Sequence, residues 1–152
     1  MQIAIGAIPP TGAHACEAIL RALPEWFGIE EAIVNYRREI AKNPTIGAFD
    51  NDRLIGFLTL KYHNRYSAEI YVMGVLKECH RKGVGGALVE RVEEMLRADS
   101  IEYLQVKTLA PSKESEEYSR TRRFYESVGF RPLEENKLWG ESNPCLIMVK
   151  KL

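Results

Sequence analysis

The stretch "CHRKGVGGAL", Cys79 to Leu88, crowds Gly83, Gly85 and Gly86 together just where an apolar strand pattern gives way to a helical one. Glycine is the poorest helix former after proline, so three glycines at a helix start need a reason. A helix N-terminus carries unpaired N–H groups and a partial positive charge, and glycines leave that backbone bare. The stretch therefore predicts a seat for an anion, most simply a phosphate. It also fixes a strand, turn and helix around which the rest of the chain is arranged. Glycines at such a junction can equally be a purely structural turn, so the surrounding sequence has to decide.

Around this unit, strand and helix periodicities alternate in a single series. "IAIGAI" reads as a first strand stopped by Pro9 and Pro10, and "AHACEAILRALPEWFG" as a helix interrupted near Pro24. "EEAIVNYRREIAKN" spaces Ile33, Tyr36, Arg37 and Ile40 as a second helix, ended by Asn43 and Pro44. "TIGAF" and "LIGFLTLKY" form a hairpin about Asp50, Asn51 and Asp52, and "SAEIYVMGVL" is apolar enough for a central strand. The glycine turn then opens a helix with Val84, Leu88, Val92 and Leu96 on one stripe. A strand "IEYLQVKTL", a helix "EEYSRTRRFYESVG" closed by Gly129, and strands "FRPLEENKLW" and "CLIMVKKL" complete the chain. This order implies a mixed α/β sheet with helices on both faces.

Composition narrows the partners. At 152 residues and 45% hydrophobic content, the chain supports one core, hence a single domain over residues 1–152. Twenty-one basic against 21 acidic residues leave no excess of charge to draw it to nucleic acid or to a membrane surface. Cys16, Cys79 and Cys145 form no C-x-x-C pair, which argues against a disulfide framework and against a metal site. The start "MQIAIGAIPPTG" has neither a basic leader nor a long apolar run, so a cytoplasmic protein is expected.

The turn itself excludes two nucleotide-binding classes. A Walker loop ends in Gly-Lys-Ser/Thr, whereas Gly85, Gly86 and Ala87 stand here. A dinucleotide fold needs G-x-G-x-x-G, and "GVGGAL" lacks the third glycine. The longer frame "AEIYVMGVLKECHRKGVGGAL" resembles the acetyl-CoA signature of the GNAT superfamily of N-acetyltransferases, with Val75, Gly83, Gly85 and Gly86 matching and His80 where the family usually has Gln or Arg. "TRRFYESVGF" is similar to the family's last helix through Phe124, Tyr125, Gly129 and Phe130, while Tyr118 and Thr121 replace its usual Asn and Ala.

The resemblance implies a mostly antiparallel sheet of about seven strands, with a splayed parallel pair and about four flanking helices. It further implies acetyl-CoA as cosubstrate, its pyrophosphate held by backbone N–H groups along Arg81, Lys82, Gly83, Val84, Gly85, Gly86 and Ala87. Further cofactor contacts are implied at Met73, Gly74, Val75, His80, Tyr118 and Arg122, with the Val75 N–H polarising the thioester carbonyl. Gly74 in a bulky strand reads as a bulge, a close backbone approach or a packing accommodation.

An alkyl amine, with a pKa of ~10.4, must lose a proton before it attacks. Glu69 is the implied base, because "AEIYVMGV" is similar to the strand of the protein-lysine acetyltransferases in this superfamily. Tyr125 is the implied acid for the leaving thiolate. Solvent-facing and core-packing roles, respectively, are the competing readings of these two residues. His14 and His63 receive no function, and Trp26 and Phe27 read as acceptor wall or core. The run from Glu114, Glu116 and Glu117 to Arg120, Arg122 and Arg123 fits an acidic acceptor mouth or a solvated helix face.

The expected function is transfer of acetyl to a primary amine, of a small molecule or of a protein, by direct attack in a ternary complex. A homodimer is compatible with the family. The competing expectations are a non-catalytic acyl-CoA-binding or regulatory module and a ligand-free structural domain.

Overall fold

Each alternation of period in the sequence becomes an element in the computed structural model, which describes residues 1–152. In chain order these are strand β1 (Ile3–Ile8), helices α1 (Ala13–Arg21) and α2 (Glu30–Lys42), and strands β2 (Thr45–Asp50), β3 (Arg53–Tyr62) and β4 (Ser67–Val75). Helix α3 (Val84–Ala98), strand β5 (Tyr103–Leu109), helix α4 (Glu116–Ser127) and strands β6 (Arg131–Asn136) and β7 (Cys145–Lys151) follow. The sheet has the order β1-β2-β3-β4-β5-β7-β6. It is mostly antiparallel, and β4 and β5 run parallel from Ser67↔Tyr103 to Ile70↔Val106. The expected mixed sheet of seven strands with one parallel pair and four helices is therefore the fold that forms.

The chain divides into two compact units, one of residues Met1–Lys61 with Tyr71–Met95, the other of Tyr62–Ile70 with Leu96–Leu152. In the first, α1 turns Ala13, Cys16, Ile19 and Leu20 inward, onto Leu23, Ile40, Phe57 and Val72. Its polar side carries an ion-pair chain in which Glu17 binds Arg21 and Arg37, and Arg21 also binds Glu30. Glu30 and Glu31 in the first turn of α2 and Lys42 in its last suit the helix dipole. Strand β3 is buried without interruption from Ile55 to Leu60, as a strand covered on both faces should be. Where β2 and β3 pair, Thr45 and Thr59 satisfy one another at 2.8 Å inside the core.

In the second unit the core gathers Leu104, Val106, Tyr125, Phe130, Cys145 and Met148. Ser115 caps α4 by accepting the Tyr118 N–H at 3.2 Å. Gly129, at φ +104, ends that helix and returns Phe130, whose N–H reaches the Tyr125 carbonyl at 2.9 Å.

Two boundaries are set by local turns. The first helix is interrupted ahead of Pro24 as expected, stopping at Arg21, because the residue before a proline is pushed out of the helical region. The chain continues as turns in which the Trp26 and Phe27 N–H groups reach the Leu23 carbonyl. Strand β6 ends at Asn136 rather than Trp139, because the Asn136 side chain accepts the Leu138 N–H at 3.0 Å and turns the backbone. No helix is long and apolar enough to cross a membrane.

Candidate functional site

The glycine turn lies in the first unit, at the end of β4. A short 3-10 turn, Lys77–Cys79, leads from the strand into the loop. Its charged residues are tied down, Glu78 by Arg53 at 2.8 Å and Lys77 by Glu25. Beyond it, Arg81 (φ +62) and Gly83 (φ +83) both take the left-handed conformation, which swings the chain round to start α3. The Ala87 N–H closes the first helical bond on the Gly83 carbonyl at 3.0 Å. Helix geometry then leaves the N–H groups of Val84, Gly85 and Gly86 without an intrahelical acceptor. A side-chain carbon added at Gly83 or Gly86 would meet no atom within 4 Å, so the turn opens onto free space and is not packed by the protein. Arg81 and Lys82 stand exposed beside it and form no ion pair.

His80, beside this opening in sequence, is held by the end of β4. Its Nε2 donates to the Val75 carbonyl at 2.6 Å, and its ring meets Trp26 edge-on at 5.7 Å. The side chain where the family usually places Gln or Arg therefore braces the loop against the end of β4. Met73 and Val75 are half-buried, while Gly74 is fully buried. An added carbon at Gly74 would meet Ile19, Phe57 and Leu23 at 3.2 to 3.4 Å, which makes this glycine an accommodation of core packing. The close backbone approach occurs instead at Gly56, where an added carbon would lie 3.2 Å from the Gly74 carbonyl oxygen and from Val75 and Val84. Trp26 and Phe27 are half-buried against the core, and Phe27, Tyr36 and Tyr71 stack edge to face, with the Lys61 ammonium 4.1 Å above the Tyr71 ring.

The second unit holds a polar cluster on β4 and β5. Glu69 pairs in register with Gln105, so its carboxylate lies among the side chains of the parallel neighbour. Its Oε1 accepts from Gln105 Nε2 at 3.1 Å and from Lys107 Nζ at 3.0 Å, and Oε2 accepts from Lys107 at 3.2 Å. His63 Nε2, from the turn between β3 and β4, sits 2.6 Å from Oε1. Glu69 is buried, which removes the solvent-facing reading of this residue. Neighbouring Cys145 is fully buried, and that burial pushes its thiol above the ordinary range.

Tyr125 on α4 is buried between Phe124 and Phe130, with ring centroids 5.3 and 5.5 Å away. Tyr118 is half-buried in the first turn of α4. Arg122 Nη1 donates to the Leu109 carbonyl at 2.6 Å and so ties α4 to the end of β5. The second unit also has a shallow, open depression lined by Lys113, Glu135, Lys137 and Glu141; it contains none of the expected site residues, and its mixed charges favour no one ligand.

Sequence reasoning weighed His63 without giving it a function and did not single out Gln105 or Lys107. The alternation in "YLQVKTL", which sets Gln105 and Lys107 on one face of a strand, was the available signal for two of them.

Comparison with known proteins places the chain. The model of the acetyltransferase (GNAT) family matches residues 13–130. A mycothiol acetyltransferase of Beutenbergia cavernae is 30% identical over 87 residues, which are 57% of this chain and 27% of that protein, so the chain spans about a quarter of that curated relative. The PaiA N-acetyltransferase of Thermoplasma acidophilum, solved with coenzyme A, superposes with a TM-score of 0.78 at 21% identity over 100% of both chains. The ribosomal-protein-S18-alanine N-acetyltransferase of Escherichia coli gives 0.77 at 17% identity over 99% of this chain and 94% of that one. At these identities the solved structures show a common fold.

Proposed function

The chain belongs to the GNAT acetyltransferase family, and from that premise we propose that it is a single-domain, acetyl-CoA-dependent N-acetyltransferase. It moves acetyl to a primary amine, of a small molecule or of a protein lysine or N-terminus, by direct attack in a ternary complex. The observation that carries this reading is the open turn. Unpaired N–H groups at the start of α3 border space that no side chain fills, beside two unpaired cations, and this fits a pyrophosphate.

When bound, acetyl-CoA supplies an activated acyl group as its thioester. The chain supplies the rest. Arg81, Lys82 and the backbone from Gly83 to Ala87 hold the phosphates, and Met73, Gly74, Val75, His80, Tyr118 and Arg122 complete the cofactor's surroundings. The Val75 N–H polarises the carbonyl under attack. The amine proton leaves through Glu69 and the groups hydrogen-bonded to it, and Tyr125 donates its phenolic proton to the departing sulfur. Each proton transfer is worth roughly 10²–10⁴ in rate.

A non-catalytic acyl-CoA-binding module is the second reading, and the ion pair between Lys107 and Glu69 favours it, since that contact employs the carboxylate structurally. Turnover separates the two. The test is release of CoA thiol from acetyl-CoA across polyamines, aminoglycosides, amino acids and basic peptides, with Glu69→Gln and Tyr125→Phe run beside the parent. Amine-dependent release that falls in Tyr125→Phe while acetyl-CoA still binds supports the enzyme and identifies its acceptor class. Tight acetyl-CoA binding without release on any amine supports the module.

A further inference from the structure

We propose that His63 is the group that takes the proton from the acceptor amine, with Glu69 and Lys107 as the residues that position it. This rests on the acetyltransferase reading above and assigns the base within it.

The geometry around Glu69 sets the argument. The carboxylate is ion-paired with Lys107 at 3.0 and 3.2 Å, and a carboxylate can only accept hydrogen bonds. The imidazole 2.6 Å from Oε1 must therefore donate through Nε2. That fixes the tautomer of neutral His63 and leaves the Nδ1 lone pair unprotonated. Exposure separates the two groups further, the Glu69 side chain being 6% exposed and that of His63 40%. Only the imidazole is open to a molecule arriving from solvent.

Protonating Glu69 directly would weaken its ion pair with Lys107 and cost an acceptor that serves three donors. Protonating His63 keeps every one of those bonds. It also converts the 2.6 Å contact into an imidazolium–carboxylate bond, and such charge-assisted bonds are roughly twice as strong as neutral ones. Other charged or titratable groups nearby are Tyr62, which donates to Asp99, Arg65 and Tyr66 in the same turn, paired with one another, and the Cys145 thiol on β7, on which Glu134 of β6 also acts.

The step is a proton transfer. An N–H bond of the substrate ammonium breaks, its electron pair stays on nitrogen for attack on the thioester, and the proton passes to Nδ1. The imidazolium returns that proton to water after turnover, and the second N–H proton, lost as the amide forms, restores the Tyr125 phenol that protonated the sulfur, so one proton is released for each ammonium converted to an amide.

The test measures kcat/KM for the amine against pH in the parent, His63→Gln, His63→Ala with and without added imidazole, and the His63→Gln/Glu69→Gln double variant. Acetyl-CoA affinity and circular dichroism are followed in each. The expected result is a loss of about 10²-fold or more in His63→Gln with acetyl-CoA binding intact. The acid limb of the pH profile should vanish, imidazole should restore His63→Ala, and the double variant should be no worse than His63→Gln. Parental rate and an intact acid limb in His63→Gln would overturn the role of His63 while leaving the enzyme standing. A parent that binds acetyl-CoA but turns over no amine would overturn the acetyltransferase reading, and the role of His63 with it.

Discussion

Gly86 offers a substitution in which stability and binding should move in opposite directions. It is the third residue of α3, has ordinary helical backbone, and an added carbon there meets nothing within 4 Å. Gly86→Ala therefore introduces no clash. Alanine is preferred to glycine in a helix interior by ~0.8–1 kcal/mol, and at compatible sites the gain, which comes mainly from the unfolded chain, is ~0.4–1 kcal/mol. For a chain of this length, that raises the melting temperature by roughly 1–4 °C. The same methyl tilts toward the helix N-terminus, as every Cβ in a helix does, and so projects toward the proposed phosphate seat. Losing one charge-assisted hydrogen bond there costs ~1.5–3 kcal/mol, or roughly ten- to a hundredfold in affinity. Thermal melts without ligand and calorimetric titration with acetyl-CoA read the two effects separately. A stabilised variant that binds acetyl-CoA as tightly as the parent would refute the seat and leave the glycines as a structural turn.

The neighbouring Gly83→Ala should do the reverse to stability. At φ +83 a side chain is strained by ~1–2 kcal/mol even with open space around it, which denaturant titration will show as a loss, smaller for Gly83→Asn. The three thiols should resist Ellman's reagent in the native protein and all react in guanidinium. All three are buried, and burial pushes the Cys16 thiol up to about 12. Hydrogen bonds from Lys77, Arg21 and Lys61 lower Glu25, Glu30 and Glu39 respectively, and bonding to its own backbone N–H, then to Arg53, lowers Glu78. Their folded values lie below the unfolded one, so their contribution is complete above the ordinary Glu value of ~4.3 and is lost as pH falls through the lowered values. Melts between neutral and acid pH should therefore decline only at the acid end, and less steeply in high salt, since these pairs are exposed.

Much of the fold was legible because its periodicities were long and clean. The apolar run of β1, the stripe of Val84, Leu88, Val92 and Leu96, and the Gly129 stop of α4 each depend on local chemistry that the chain states outright. The end of β6 was less legible, because an asparagine there acts through a turn that competes with the strand pattern. At the site, the glycine turn could be read for the same local reason. Gly74 and Gly56 could not be told apart from sequence, since what a missing side chain makes room for is decided by distant partners such as Ile19 and Gly74 itself. The contacts of Glu69 with Gln105 and Lys107 were hidden for a similar reason. They exist only once two strands separated by a whole helix lie side by side in one register.

That register also makes the polar cluster a clock for folding. Glu69 and Lys107 are 38 positions apart, and they meet only when β4 and β5 have closed their parallel ladder around the intervening α3. Chain entropy must be surrendered over that whole span before the ladder returns any bonding, which makes parallel pairing one of the slow events of folding. Helical signal and collapse should consequently recover before the cluster does. In refolding from denaturant, catalytic competence would be the last observable to return, and it would date the moment at which the two strands lock.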